Sequence, residues 1–248
     1  MTERTETTDP YALSDAAASA MLQTVPFRRL AVIGDSTAAG TGDPWPGYET
    51  RPWADRLGHW LQAAHPGAGY LNTGVPGAVI AEVRERQLGA LDAFGPDLVI
   101  ISCGGNDLFL RGAEMPDVET ALDELCARAT ATGAQPMMFT LADRFLGRMA
   151  PFQPRFAEFA DIVRRVAHRH DALLTEFWDH PARLRPDWLS ADLIHLTMAG
   201  HAVVAAELAK TLARHAARDL PAQLIARPTP GKQTPPAARA RSHPPRPA

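Results

Sequence analysis

Five short apolar runs constrain the fold of this chain more than any other feature of its sequence. Their hydrophobicity is continuous rather than alternating, which is typical of strands covered on both faces in a parallel sheet. The first run ends at Gly34, and the third ends near Gly104 and Gly105. The predicted strands lie at 30–33, 70–71, 98–101, 137–139 and 173–174, and the second is the weakest.

Segments with helical periodicity lie between and after these runs. Their apolar residues recur at spacings of three and four, which places them on one face of a helix. Strands that alternate with helices predict right-handed crossover connections. We therefore expect an α/β fold, a three-layer α/β/α sandwich with a mostly parallel, flavodoxin-like doubly wound sheet. The helical faces are Trp53, Leu57, Trp60 and Ala64; Val118, Leu122, Leu125 and Ala129; Phe156, Phe159, Val163 and Val166; and Met198, Ala202, Ala205, Ala209 and Leu212.

Length and composition predict one main domain with two extensions. The chain has 248 residues, 46% of them hydrophobic, which suits a single core. We predict an N-terminal segment over 1–27 with a helix around 11–22, a main domain over 28–217 and a tail over 218–248. The first ten residues contain no apolar run, and no stretch approaches the roughly 20 apolar residues of a membrane span. We therefore expect a cytoplasmic protein, with Cys103 and Cys126 as buried thiols.

The C-terminal tail differs in composition from the rest of the chain. From residue 220 onward it holds eight prolines and five Lys or Arg residues but no acidic residue. Proline blocks helix formation, and the tail has little apolar surface to bury, so we predict that it is disordered. The remaining chain is more acidic than the overall net charge of -3 suggests. This charge gives no indication of a nucleic-acid partner.

A serine stands directly after the first predicted strand. Gly34, Asp35 and Ser36 form a turn at the carboxyl end of that strand, where open α/β sheets collect their reactive groups. A serine hydroxyl is a weak nucleophile until a neighbouring base removes its proton. A helix that begins here would direct its positive N-terminal end at Ser36. The tripeptide alone is equally compatible with a plain turn.

An aspartate and a histidine lie close together before the last predicted helix. Asp192 and His195 are separated by three positions, so one short loop can present both side chains to each other. Imidazole is a base near neutral pH, and a carboxylate on its other nitrogen fixes the tautomer. Thr197 is a suitable N-cap for the following helix. Taken alone, the Asp-His pair is also compatible with a surface pair.

Two glycine-containing loops follow the second and third predicted strands. The segment 104–107 (GGND) brings Asn106 directly after the most hydrophobic run. An Asn amide or a glycine N–H can donate to the oxyanion of a tetrahedral intermediate. The segment 72–77 (NTGVPG) supplies Gly74 and Gly77 as two candidate donors. Each loop alone is also compatible with an ordinary turn.

Together, these four segments resemble the sequence blocks of the SGNH/GDSL hydrolase family. The blocks are GDS at 34–36, NTGVPG at 72–77, GGND at 104–107 and DLIH at 192–195. The resemblance covers roughly residues 28–215. It implies a serine hydrolase that cleaves carboxylic esters through an acyl-enzyme, with a small acyl or acetyl ester as the favoured substrate and with no cofactor or metal.

The resemblance also implies a role for each candidate site residue. Ser36 would be the nucleophile, His195 the base, and Asp192 the group that orients His195. The oxyanion hole would be formed by the N–H of Ser36, the N–H of Gly77 and the side chain of Asn106, with the other glycine of the same loop as a competitor for Gly77.

Four further residues are candidates for the wall of a substrate pocket. Trp45, Tyr48, Phe145 and Met149 could contact an acyl or alcohol group, although a core or surface role is equally compatible with each. The expected partner is a small-molecule ester, with no nucleic acid and no membrane span. The oligomeric state stays open.

Three alternatives keep part of this pattern. A thioesterase or acyltransferase would use the same site, because water and other acceptors attack the same acyl-enzyme. A non-catalytic flavodoxin-like binding module would share the fold but has no need of the Asp-His pair, and no phosphate-binding glycine motif is present. An α/β-hydrolase usually has its serine deep in the chain, which disagrees with Ser36 on the first strand.

Overall fold

The computed structural model describes residues 4–219, with side chains through residue 218, and has the expected α/β architecture. The tail predicted to be disordered lies outside the described residues from residue 220 onward. One parallel sheet contains five strands, each of which includes one of the five apolar runs. The strands are β1 (Arg29–Gly34), β2 (Gly69–Asn72), β3 (Leu98–Ser102), β4 (Gln135–Phe139) and β5 (Leu173–Thr175).

The strand order places two candidate loops side by side. The order is β2-β1-β3-β4-β5, so the chain moves to one side of β1 first and then to the other. Such a reversal opens a crevice at the carboxyl ends of the two central strands. Gly34, at the end of β1, pairs in register with Ser102, at the end of β3. The loops that carry Ser36 and Asn106 therefore begin next to each other.

Helices cover both faces of the sheet. The short helix α2 (Ser36–Ala39) follows β1 directly. On one face pack α1 (Asp15–Leu22), α3 (Trp53–Ala64) and α8 (Met198–Asp219), and on the other pack α4 (Ile80–Arg86), α5 (Leu88–Phe94), α6 (Met115–Thr130) and α7 (Gln153–Arg169). The three-layer sandwich is therefore confirmed.

Side chains of each strand alternate between the two cores. In β1, Leu30 and Val32 pack against α1, α3 and α8, whereas Ala31 and Ile33 pack against the helices of the opposite face. All four are fully buried. Burial of a Val, Leu or Ile side chain contributes roughly 1.5–3 kcal/mol, so both faces of the strand must be apolar. This two-sided packing explains the continuous hydrophobicity of the run.

The four predicted helical faces correspond to α3, α6, α7 and α8, but periodicity missed α4 and α5. Each of these helices has only seven residues and two buried side chains, Ile80 and Val83 in α4 and Leu88 and Leu91 in α5. So short a pattern is too weak to identify a helix, because helices of this length depend on tertiary packing. Within residues 4–219, no helix is both long and apolar enough to cross a membrane.

Candidate active site

Ser36 lies on a tight turn between β1 and α2. Gly34 has a φ of 147°, and a Cβ on it would come within 1.9 Å of the carbonyl oxygen of Ser102. Only glycine allows the two central strands to approach this closely. Asp35 caps α2 by accepting a hydrogen bond of 2.8 Å from the N–H of Thr37. As the first residue of α2, Ser36 keeps an N–H without an intrahelical partner.

The carboxyl group of Asp35 is almost completely buried beneath this turn. Burial raises its pKa to about 6, although the hydrogen bond from Thr37 and the nearby ring of His195 favour the charged form. Desolvation therefore outweighs both favourable interactions. Asp35 is a buried cap whose ionisation opposes folding.

His195 links Ser36 to Asp192 through two hydrogen bonds. Its Nε2 lies 2.9 Å from Ser36 Oγ, and its Nδ1 lies 2.6 Å from Asp192 Oδ2. Asp192 Oδ1 accepts from the N–H groups of Ile194 at 2.9 Å and His195 at 3.0 Å. Burial disfavours the charged carboxylate, but these hydrogen bonds outweigh it and hold the pKa of Asp192 below its usual value. An ionised Asp192 retains a proton on Nδ1, which leaves Nε2 able to accept the proton of Ser36.

An internal hydrogen-bond network shapes the 192–195 loop. The N–H of Ser190 donates to the carbonyl of His195 at 2.8 Å, and the Ser190 hydroxyl donates to the carbonyl of Leu196 at 2.8 Å. Leu193 has a φ of 62°, a left-handed conformation that is unfavourable for leucine by roughly 1–2 kcal/mol. The network enforces this conformation, and the resulting turn brings Asp192 back towards the histidine.

The loop after α2 fastens the 192–195 loop to the rest of the site. Asp43 makes three contacts with residues on either side of that loop. Its N–H donates to Ser190 Oγ at 2.8 Å, its carboxylate accepts from the N–H of Ala191 at 2.8 Å, and its carbonyl accepts from the N–H of Met198 at 2.9 Å. The loop that follows β1 and α2 and the segment between the last strand and α8 are thus joined by hydrogen bonds.

The start of α8 adds a second connection. Thr197 Oγ1 accepts a hydrogen bond of 3.2 Å from the N–H of Gly200, so Thr197 caps the start of α8 as predicted. His201 accepts from the N–H of Trp53 at 3.3 Å, and its Nε2 lies 3.2 Å from the carbonyl of Thr41. Burial lowers the pKa of His201 to about 4, so the ring is neutral at pH 7 and donates from Nε2 to Thr41. Sequence reasoning missed this histidine.

Asn106 and its neighbour join the GGND segment to the loop after β2. Asn106 Nδ2 donates to the carbonyl of Ala78 at 3.0 Å, which uses one of its two amide hydrogens. Asp107 accepts from the N–H of Ile80 at 3.1 and 3.3 Å and so caps the start of α4. The two loops therefore hold each other in place.

The two candidate glycines have different surroundings. The N–H of Gly74 donates to Asn72 Oδ1 at 2.9 Å, and a Cβ on Gly74 would come within 2.4 Å of the nitrogen of Ala39. Gly77 has a φ of 83°, and nothing lies within 4 Å of its Cβ position. Gly77 lines a separate depression rather than the cavity around Ser36. Its backbone is thus more open than that of Gly74, but the structure does not place it in that cavity.

A cavity of ≈130 Å³ opens at the carboxyl ends of the strands. Ser36, Asn106 and His195 all line it, so the structure brings these predicted residues together. Phe145 and Met149 line it as well, in agreement with the pocket prediction. Its remaining wall is largely apolar and includes Met138, Phe139, Phe156, Phe159 and Trp188.

Trp45 and Tyr48 do not line this cavity, which corrects the prediction for these two residues. Tyr48 is buried, and its hydroxyl donates to Asp9 at 2.7 Å. Trp45 packs in a small cluster with Tyr48 and Met198. A buried carboxylate acceptor in the N-terminal segment therefore directs this loop away from Ser36.

Comparison with known proteins agrees with this geometry. Residues 32–203 match the GDSL-like lipase/acylhydrolase family. The chain belongs to this family. It is 24% identical over 188 residues to thioesterase 1/protease 1/lysophospholipase L1 of Escherichia coli (74% of this chain, 82% of the relative). It is 25% identical over 189 residues to an arylesterase of Vibrio mimicus (75% of this chain, 89% of the relative).

Solved structures of similar fold include an α/β-hydrolase enzyme from the metagenome of Lake Arreo, Spain. It has a TM-score of 0.62 and 26% identity, covering 75% of this chain and 94% of that protein. An acetylxylan esterase from Geobacillus stearothermophilus shares the fold with a TM-score of 0.61 and 21% identity, at the same coverages. Membership of the GDSL-like family confirms the resemblance found in the sequence and makes the chain a carboxylic ester hydrolase.

The structure also describes the two cysteines of this GDSL-like hydrolase and the side chains that could bind a metal ion. Cys103 lines the cavity, but burial raises the pKa of its thiol well above the usual value, so it is protonated and a poor nucleophile. Cys103 and Cys126 are both buried and free, as predicted. Between residues 4 and 218, no group of three or more His, Cys, Asp or Glu side chains is arranged to hold a metal ion.

Gln87 supports the serine turn and was missed by sequence reasoning. Its buried amide accepts from the N–H of Gly34 at 2.8 Å and donates to the carbonyl of Gly34 at 2.8 Å. It also accepts from the hydroxyl of Thr73 at 3.0 Å. Because 53 positions separate Gln87 from Gly34, no local pattern indicates this contact.

Proposed function

We propose that this enzyme hydrolyses carboxylic esters through an acyl-enzyme on Ser36. The hydrogen-bond chain from Ser36 through His195 to Asp192 is the observation that carries the proposal. His195 takes the hydroxyl proton as Ser36 Oγ attacks the ester carbonyl, and then gives that proton to the leaving alcohol. Asp192 holds the ring and stabilises its charged form. Water, activated by the same histidine, then releases the acid.

Three donors serve the oxyanion of the tetrahedral intermediate. The N–H of Ser36 lies at the positive end of α2, and Asn106 has a second amide hydrogen beyond the one given to Ala78. The N–H of Gly77 is the third, supported by the open surroundings of its backbone. Donors fixed before the reaction stabilise the developing charge without reorganisation.

The apolar cavity receives the acyl group. An engineered apolar cavity of about 150 Å³ is known to bind benzene, a molecule of six carbons. The ≈130 Å³ cavity beside Ser36 therefore suits an acyl chain of about four to six carbons. Its lining by Phe145 and Met149 supports a short apolar acyl ester as the substrate.

Thioester hydrolysis is a second candidate for the same site. It is supported by the name of the Escherichia coli relative, thioesterase 1. The acyl-enzyme would be identical, and only the leaving atom would differ. Rates on a butyryl thioester and on a butyrate ester of similar leaving group would rank the two activities.

The decisive experiment replaces the nucleophile. Ser36→Ala should lower kcat on p-nitrophenyl butyrate by ~10⁴-fold or more with little change in melting temperature. Ser19→Ala, on α1, is the matched control and should keep full activity. An organophosphate should label the wild-type chain at Ser36 only, as read by mass spectrometry of peptides. Near wild-type turnover by Ser36→Ala, or a label elsewhere, would refute the assignment. A panel from acetate to palmitate then tests the chain length.

A further inference from the structure

Arg144 lies in the wall of the active-site cavity, and its side chain has no partner among the described residues 4–218. It is half-buried and lines the same cavity as Ser36 and His195. Its guanidinium makes no hydrogen bond or ion pair with any residue of the described range 4–218. Its nitrogens are not among the buried polar atoms without a partner, so they remain accessible from the cavity or the solvent.

This arrangement is an exception among the arginines of the described chain. The other arginines without a partner in that range, Arg111 and Arg218, are exposed. Every other arginine that the structure describes as buried or half-buried has at least one partner. The pairs are Arg51 with Glu49, Arg56 with Glu6, Arg155 with the carbonyl of Ala113, Arg164 with Glu176, Arg183 with Asp179, and Arg185 with Asp9.

Three acidic groups of this region already have hydrogen-bond partners. Asp35, which lines the same cavity, accepts from the N–H of Thr37 at 2.8 Å. The carboxylate of Asp143, the neighbour of Arg144 in the chain, accepts from Gln153 at 3.2 Å. Asp192 accepts from His195 and two backbone N–H groups. A partly desolvated guanidinium without a counter-charge is unfavourable, and an anion from outside the chain would offset this cost.

The residues on either side of Arg144 fix its backbone. The N–H of Asp143 donates to the carbonyl of Trp178 at 3.0 Å. The ring of Phe145 packs on Phe156, with 4.7 Å between ring centroids. Because both neighbours are anchored, the guanidinium projects from a fixed point of the cavity wall, which lowers the entropic cost of binding a ligand.

We propose that Arg144 binds an anionic group, a carboxylate or a phosphate, on the alcohol or thiol part of the substrate. The planar guanidinium offers paired donors that match the oxygens of either anion. The rest of the cavity wall is largely apolar and suits the acyl chain, so we assign the anionic group that Arg144 binds to the other side of the ester. The preferred substrate therefore combines a short apolar acyl group with a negatively charged leaving group. This inference rests on the proposed hydrolysis at Ser36.

The test compares matched butyrate esters that differ only in charge. The substrates are 4-carboxyphenyl butyrate, its neutral analogue 4-carbamoylphenyl butyrate, and a butyrate ester whose aryl group carries a phosphate. Arg144→Gln should lower kcat/KM by ~10- to 100-fold on both anionic esters, mainly through KM, because a hydrogen bond to a charged group is lost. The rate on the neutral ester should change less than about 2-fold. A larger loss on the phosphate than on the carboxylate ester would identify phosphate as the preferred anion.

Two further variants separate recognition from other effects. Arg144→Lys keeps the positive charge but loses the paired donors of the guanidinium. It should therefore retain part of the preference for anionic esters. Arg218→Gln removes the same charge at an exposed position near the end of α8 and should leave the preference unchanged. An equal loss on the neutral and anionic esters, an unchanged preference in Arg144→Gln, or the same loss in Arg218→Gln would each overturn the inference.

A binding measurement keeps this test independent of the nucleophile. Calorimetry with Ser36→Ala protein measures the affinity for 4-carboxyphenyl butyrate, and adding Arg144→Gln should weaken it by ~10-fold or more. If Ser36→Ala still hydrolyses the neutral ester at the wild-type rate, the proposed function fails, whereas affinity that is independent of Arg144 refutes only the anionic site.

Discussion

Two carboxyl groups near Ser36 have pKa values shifted in opposite directions. Asp35 and Asp192 are both partly or fully desolvated, but Asp192 accepts three hydrogen bonds, one of them from the ring of His195. The pKa of Asp192 is therefore lowered, whereas burial raises that of Asp35 to about 6. In the proposed mechanism Asp192 orients the base and must stay ionised, whereas a buried cap need not. The hydrogen bonds around each carboxyl group therefore decide whether that group stays ionised near neutral pH.

Asp35→Asn should stabilise the protein in a pH-dependent way. Asn is an equally good N-cap, so the hydrogen bond to Thr37 can persist. The pKa of Asp35 is about 6 in the folded chain against 3.8 for the free group, so its ionisation destabilises the fold as the pH rises through this interval. The variant should match the wild type near pH 3.5 and exceed it by up to about 3 kcal/mol above pH 7.

Thermal unfolding of both chains at several pH values measures this difference. Asp92→Asn, at an exposed position of α5, is the control and should show no such trend. A stability difference between Asp35→Asn and the wild type that stays constant from pH 4 to 8 would contradict the buried-cap interpretation.

Asn106→Ala should affect turnover more than stability. Loss of one oxyanion donor lowers kcat by ~10²–10³-fold with a much smaller change in KM. The same change removes the hydrogen bond to Ala78, which contributes only about 1 kcal/mol. Asn106→Asp should be at least as inactive, because a carboxylate repels the oxyanion. Paired measurements of kcat and melting temperature decide the matter, and an unstable but fully active Asn106→Ala would show a purely structural role.

At the scale of elements, a side chain rather than a neighbouring strand provides hydrogen bonds to the backbone at the end of β1. Pairing between β1 and β2 stops at Val32, whereas pairing with β3 continues to Gly34. The N–H and carbonyl of Gly34 on the β2 side therefore lack a strand partner. The amide of Gln87 supplies one donor and one acceptor there, and the N–H of Val75 also reaches the carbonyl at 3.1 Å.

Gln87→Leu should weaken both the fold and the reaction. The substitution keeps the size of the side chain but leaves the buried N–H of Gly34 without an acceptor, at a cost of about 1–3 kcal/mol. Since Gly34 is two residues before Ser36, kcat should fall more than KM changes. Gln62→Leu, at an exposed position of α3, is the matched control. Denaturant unfolding measures the loss of stability, and steady-state kinetics measures the loss of kcat. Equal results for Gln87→Leu and Gln62→Leu would disprove that Gln87 supports the serine turn.

The sequence predicted the parts of this architecture that depend on local patterns. The apolar runs identified all five strands because two-sided burial leaves a continuous signature, and the spacing of Asp192 and His195 suffices for a single loop. Other features depend on contacts between distant segments. His201 meets Trp53 across 148 positions, and Tyr48 turns away from the cavity because it meets Asp9. No pattern within a short window contains that information.

At the scale of the whole molecule, the N-terminal segment is tied to the active site by a buried ionic network. This segment lies outside residues 32–203, the part that matches the family. The buried carboxylate of Asp9 accepts from Tyr48 at 2.7 Å and from Arg185 at 2.7 Å. Arg185 also donates to Asp187 at 2.9 Å, and the carbonyl of Asp187 accepts from the hydroxyl of Thr197, two residues after His195. The network thus runs from Asp9 in the N-terminal segment to Thr197, close to His195.

Asp9→Asn tests whether this network stabilises the site. Breaking one partner of a buried ion pair costs about 3–5 kcal/mol, which for a domain of this size lowers the melting temperature by roughly 10 °C. Burial opposes ionisation of Asp9, but the hydrogen bonds from Arg185 and its neighbours outweigh it and lower its pKa. Its contribution is therefore present above pH ~4 and is lost as the pH falls through the lowered pKa, so the difference between the two chains should shrink in acid.

The matched control for Asp9→Asn is Arg84→Gln, which removes an exposed ion pair with Glu124 and should cost less than about 1 kcal/mol. Because the network ends at Thr197, Asp9→Asn should also lower kcat several-fold at a temperature where the chain is fully folded, whereas Arg84→Gln should not. Equal melting temperatures of Asp9→Asn and the wild type at pH 7 would show that the network is energetically neutral. A large loss of stability with unchanged kcat would show that the network supports the fold without positioning the base.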